Sequence, residues 1–361
     1  MTRTLMPIER YDDWEKRLDR QDAFWDCEII DRAVVTVTCP APNAAYPAPA
    51  EREWDSHRQR WLDAEYRAEQ AVASVMNKHY AGDALPQAWP NLGPEVFSAY
   101  FGQEMEYGEA TSWSIPNLHD YRDADTLQFS EDNPYWTQTL RMTDALLEAG
   151  KGLFYTGLTD LHPGGDAVAA FRDPMHFAMD MLDSPAEAKA LSSRMSREFC
   201  TIYDRFMDRL EAAGQPCCSW PGPVSRRRWH TPSNDFSCMV SKEVFDDVFL
   251  PGIAEECRHL EASLYHLDGP QALTHLDSLL EIPELSAVQW IYGAGNGCAS
   301  DWIDVYKKIR AAGKGIQVFD LRADELDLFM DEFSPEGLWL SIAADSPAHA
   351  ADLVKRVEQW T

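Results

Sequence analysis

From about residue 81 onward, short apolar runs alternate with longer amphipathic stretches, the pattern of strands separated by helices. The strands expected from it lie at 85–90, 153–159, 216–220, 236–240, 262–267, 287–291, 315–319 and 337–343. Helices are expected at 184–213, 242–261, 301–312 and 347–359. Their ends carry the matching chemistry: Gly313 stops one helix, and Ser346-Pro347 supplies a cap and a first-turn proline for the last. Eight strands with helices between them make a (β/α)8 TIM barrel, an α/β fold, the expected architecture of residues 81–361. An open doubly wound sheet fits the same pattern, although no GxGxxG or P-loop follows any expected strand. Residues 1–80 read differently: a helix over 8–23, a β-rich run at 32–38 and a helical stretch over 55–79. They are expected to form a helical/β extension packed on the barrel.

The formal charge of -28 argues against nucleic acid as a partner, since binding a phosphate backbone needs a basic patch. It also disfavours an anionic membrane surface, and no run approaches the roughly 20 apolar residues of a membrane helix. The amino terminus lacks a signal-peptide core, and the eight cysteines include no CxxC pair. Both features fit a cytoplasmic protein with reduced thiols. Arg226-Arg227-Arg228 interrupts the acidity, either as a solvated loop or as an anion contact at a site mouth. Trp14, Trp25, Trp54 and Trp61 offer either a homodimer surface or packing against the barrel floor.

Chemistry concentrates where expected strands end, because side chains at the carboxyl ends of parallel strands face the ligand crevice. Ser263-Leu-Tyr-His-Leu-Asp-Gly-Pro270 places His266 and Asp268 there, two residues apart and on one face if the strand persists. The pair could bind a metal, move a proton or orient a substrate; otherwise His266 is a core residue and Asp268 a helix cap. Asp160 and His162, in Thr159-Asp-Leu-His-Pro-Gly-Gly165, and Asp235 are further catalytic or binding candidates. Each has a structural alternative as a turn or cap residue. Trp220, Trp290 and Tyr292 are candidates for an apolar substrate wall, with core packing as the alternative. Asn91 and Asp320 end expected strands as well. His275 and Asp277 fall within a helical pattern and are assigned to a helix surface.

The segments Asp235-Phe-Ser-Cys-Met-Val-Ser241, Tyr265-His-Leu-Asp-Gly269, Gln289-Trp-Ile-Tyr-Gly-Ala-Gly295 and Gly337-Leu-Trp-Leu-Ser-Ile-Ala resemble the uroporphyrinogen decarboxylase superfamily. The resemblance covers roughly residues 215–361. It implies a (β/α)8 barrel and either decarboxylation or methyl transfer linked to a corrinoid or thiol. The decarboxylases carry an arginine-rich amino-terminal motif that is absent among Arg3, Arg10, Arg17, Arg20 and Arg32. The zinc methyltransferases have His-x-Cys where this chain has His266-Leu-Asp268, and a further Cys where it has Ser341-Ile-Ala-Ala-Asp345. An oxygen/nitrogen site for a divalent metal, zinc among them, would replace that thiolate site.

The resemblance therefore favours a methyltransferase moving a methyl group from a small O- or N-methylated substrate to a corrinoid on a partner protein. His266, Asp268, Asp235 and Asp160 would carry the chemistry, with His266 and Asp268 as metal ligands. The alternatives are a decarboxylase or lyase acting on a carboxylated molecule, and a barrel that binds a ligand without catalysis.

Overall fold

The computed structural model describes residues 4–42 and 45–360. Its central sheet has seven strands in the order β2 (Lys78–Gly82), β1 (Val34–Pro40), β13 (Leu338–Ala343), β12 (Gly315–Leu321), β11 (Ala287–Ile291), β10 (Ala262–Asp268) and β9 (Trp229–His230). Every pairing is parallel except that of β2 with β1. Helices Leu250–His259, Leu276–Leu280, Ile303–Ala311 and Leu326–Glu332 connect β9 through β13 in turn. That covering is why Leu264, Val288, Ile316 and Leu340 are fully buried: parallel strands are packed on both faces.

A second run of strands is shorter. Strand β3 (Gln87–Ala88) pairs in parallel with β6 (Tyr155–Thr156). The Leu158 amide beyond β6 donates to Cys218 in β7 (Cys217–Cys218), at 2.8 Å. Gly157 allows this approach, since a Cβ there would lie 2.5 Å from the Cys218 carbonyl oxygen. Two antiparallel hairpins complete the strands: β4 (Glu104–Tyr107) with β5 (Ser112–Ile115), and β7 with β8 (Val224–Ser225). Among the described residues no ladder joins β1 to β3 or β7 to β9. The fold is thus α/β around a central parallel sheet, with a short parallel pair and two antiparallel hairpins beside it.

The structure corrects some sequence expectations and refines others. Residues 236–240 do not form a strand: Asp235–Met239 is a 3-10 turn, fixed by the Asp166 carboxylate, which accepts the Asp235 and Phe236 amides at 3.1 and 3.0 Å. The strand in that region is β9 instead. Residues 55–79 divide into helices His57–Trp61 and Ala64–Met76, followed by β2. Finally, the first 80 residues are built into the sheet, since β1 lies between β13 and β2.

The amino-terminal arginines explain how that segment is held. Arg20 and Arg32 both close on the fully buried Asp83, while Arg17 donates to the Tyr80 and Ala84 carbonyls. A buried carboxylate needs such partners to offset its lost hydration. The tryptophans of the segment also turn inward: Trp25 packs on Trp229 at 5.3 Å, Trp61 donates to Gly108, and Trp54 lies edge-on to Tyr66. His275 is buried rather than on a helix surface, stacked on Phe245 at 4.2 Å. No described helix is long and apolar enough to cross a membrane, and all eight cysteines are free.

Candidate functional site

Parallel register carries one row of side chains across the sheet. His266 is level with Gln289, Gln289 with Gln317, and Gln317 with Trp339. Because successive side chains alternate in direction, Tyr265 and Leu267 point the other way, into the core. Gln289 and Gln317 are fully buried, whereas His266 is half-buried and Asp268 exposed. The row therefore runs from a sealed interior to an accessible rim.

At that rim His266, Asp235 and Asp268 converge, with one ligand atom from each lying within 4.8 Å of the others. Trp220 stands edge-on to the His266 ring, with centroids 5.1 Å apart. Nδ1 of His266 lies 2.6 Å from Oε1 of Gln289. Among the described residues Nε2 has no hydrogen-bond partner, so it is the nitrogen left to serve the cluster.

The opposite wall is built from the loop after β6 and the helix Gly164–Arg172. Gly165 lets that helix approach closely, because a Cβ there would come within 2.8 Å of Phe249. The approach places Asp166 beside His162. His162 Nε2 meets Asp160 at 3.0 Å and Nδ1 meets the Ser233 hydroxyl at 3.0 Å, while Ser233 lies 3.4 Å from Asp166. Burial alone would depress His162, but the carboxylates of Asp160, Asp166 and Asp235 outweigh it and hold the imidazole well above its ordinary value. A protonated ring fits the geometry, donating to Asp160 and Ser233 while Ser233 donates onward to Asp166.

Asp235 joins the two walls, since it also lies within 4.8 Å of His162 and Asp166. It is open to solvent on one side, yet the dense walls around it desolvate the carboxyl. With Asp166 adding like-charge repulsion, its pKa is pushed up to about 6. A cavity of about 300 Å³ opens against this group, bounded by His162, Asp166, Asp235, Phe236, Met239 and Glu95. Its size suits a small molecule.

The structure thus brings together Asp160, His162, Trp220, Asp235, His266 and Asp268. The remaining candidates fall elsewhere. Trp290 is fully buried against Trp302 on the face opposite Gln289. Tyr292 stacks on the same Trp302, and its phenol is raised by burial and by Glu325 and Asp320. Asp320 is exposed at positive φ, where the register between β12 and β13 breaks. Asn91 holds a turn by accepting the Gly93 amide at 2.8 Å.

The triple arginine is spent on neighbouring acids: Arg226 on Asp19 and Asp22, Arg227 on Asp26, and Arg228 on Asp204, Asp208 and Glu211. Sequence reasoning missed Asp166, Gln289 and Gln317. Gln289 stands in a segment already singled out, and strand alternation from His266 to its neighbour would have found it.

No protein-family model matches the sequence, and no curated protein matches it. Solved structures do match. Among them is a methyltransferase from Methanosarcina mazei, 11% identical, with a TM-score of 0.59 over 95% of this chain and 98% of that one. At that identity the likeness shows a shared fold.

Proposed function

We propose that this protein is a methyltransferase, moving a methyl group from a small O- or N-methylated donor to a corrinoid carried by a partner protein. The observation that carries the reading is the convergence of His266, Asp235 and Asp268 within 4.8 Å beside a small cavity. The Methanosarcina mazei methyltransferase, alike over nearly its whole length, supports the reaction class. On this reading the two runs of strands are arcs of one (β/α)8 barrel, with the cluster at its catalytic rim.

Breaking a carbon–heteroatom bond leaves a poor leaving group, which needs a proton or a Lewis acid as the methyl departs. Two carboxylates and an imidazole nitrogen fit a divalent cation, zinc included, with no thiolate required. When bound, such an ion would polarise the donor's heteroatom. The chain's own residues do the rest: Trp220 packs on His266 and fixes its plane, and Asp235 presents its carboxyl to the cavity.

The charge of the site selects the donor. Asp160, Asp166, Asp235 and Asp268 surround it, and the arginines that could hold a substrate carboxylate are paired elsewhere. A neutral or cationic donor is favoured over a polyacid, which separates this reading from decarboxylation. The test is incubation of the protein with cobalt(I) cobalamin and a panel of methylamines and methoxylated aromatics. Absorbance of methyl-cobalt(III) with a neutral or cationic donor is expected. Silence across the panel, with carbon dioxide released from a carboxylated substrate, overturns the proposal.

A further inference from the structure

We infer that Gln289 and Gln317 form a buried relay that fixes His266 as its Nδ1–H tautomer and keeps the Nε2 lone pair at the reactive rim. The inference deepens the proposed site and rests on that reading only for the purpose of the lone pair. Its starting point is the Pro221 carbonyl, a group that can only accept. Gln317 lies 2.7 Å from that oxygen, so the end of Gln317 facing it must be the amide NH2. The Gln317 oxygen then faces Gln289 at 2.7 Å, where only the NH2 of Gln289 can meet it. The Gln289 oxygen is left facing His266 Nδ1 at 2.6 Å, and that contact requires a proton on Nδ1.

The direction of the whole chain is thus set by one backbone atom. Both glutamines are fully buried, so no water can take up a reversed amide. Turning either side chain over would set two donors or two acceptors face to face. With Nδ1 committed, a neutral His266 presents Nε2 as an acceptor, the state that ligates a cation or receives a proton. Gln289 and Gln317 are therefore positioning residues that act through His266.

The relay is tested in the resting protein, without substrate or added metal, by two-bond proton–nitrogen correlation spectra of 15N-histidine-labelled protein above the imidazole's titration. His266→Gln assigns the signal by its disappearance. Wild type is expected to show a pyrrole-type Nδ1 and a pyridine-type Nε2, with a preference of at least about tenfold. Gln289→Leu and Gln317→Leu should each collapse that preference. Gln289→Glu still offers an oxygen to Nδ1 and, with its other oxygen protonated toward the Gln317 oxygen, should retain it, and this rescue separates positioning from mere packing.

A wild-type Nε2–H tautomer, or an unchanged preference in folded Gln289→Leu or Gln317→Leu protein, overturns the relay. If both leucine variants fail to fold, the wild-type and Gln289→Glu spectra decide the matter alone. A locked tautomer in a protein that transfers no methyl group leaves the relay standing and sinks the proposed function. Methyl transfer by a protein whose His266 is unlocked does the reverse.

Discussion

The two histidines of the site lie on facing walls and differ in what is left to them. His162 has both ring nitrogens engaged, by Asp160 and by Ser233, and is held as a cation in a buried ion-pair network. His266 has one nitrogen engaged by a neutral amide and the other open to a cluster of two carboxylates. Two imidazoles in one cleft are thereby given separate work. One fixes the wall and its charge; the other keeps a nitrogen open to the carboxylate cluster. The lesson is that a neutral amide on one nitrogen leaves a histidine's other nitrogen open, whereas a carboxylate and a hydroxyl on the two sides engage the ring fully.

The comparison breaks most readily on the His162 side. Asp160→Asn removes one half of a buried pair and strands the imidazolium, at a cost of about 3 kcal/mol in urea unfolding. Because the folded pKa of His162 is raised, this interaction stabilises fully below its unfolded value of about 6.5. It is lost as pH rises through the raised folded value, so the deficit of the variant should shrink in alkali. A pH-independent deficit would mean that His162 is neutral.

The closed wall extends to Glu256, fully buried behind it, whose carboxyl burial pushes up to about 8 while Ser196 donates to it at 2.7 Å. Its raised value means that stability is fully present below about 4.5 and falls as pH rises through about 8. Glu256→Gln should match wild type in weak acid and exceed it by a few kcal/mol above pH 8, measured by the same unfolding.

The open side is sharpened by titration with cobalt(II). His266→Ala should weaken binding by at least about 100-fold, since even outer-shell changes cost 10- to 100-fold. Asp160→Asn, on the far wall, should leave the affinity within about tenfold. Equal losses in both variants would dissolve the distinction between the walls. The smallest effect is expected at the triple arginine: Arg227→Ala removes a half-exposed pair with Asp26 and should change stability by less than about 1 kcal/mol. Donor affinity should not respond, and a large change would return the arginines to the site.

Much of this arrangement was legible in the chain. The strands β10 to β13 are long apolar runs bounded by turn residues, and His266 and Asp268 mark the end of one of them. Asp160 and His162 were readable as polar residues after a strand, and Asp235 as part of the segment that carries the resemblance, although nothing local showed that they meet. Asp166 was hidden because its role is long-range: it caps a turn some seventy residues later, and that cap replaced the expected strand at 236–240. The short strands β3, β6 and β7 carry too few residues to show a period. Trp290 was misplaced by proximity to a strand end, since alternation turns it into the core while its neighbour Gln289 faces His266. Gln317 depends on cross-strand register, which no single segment of sequence encodes.

The most direct test compares single-turnover methyl transfer to cobalt(I) cobalamin in His266→Ala and His162→Ala, each beside its urea midpoint. His266→Ala should lose at least about 100-fold in rate with its midpoint nearly unchanged, whereas His162→Ala should lose stability first. A folded His266→Ala protein with full activity would contradict the assignment of the reactive face.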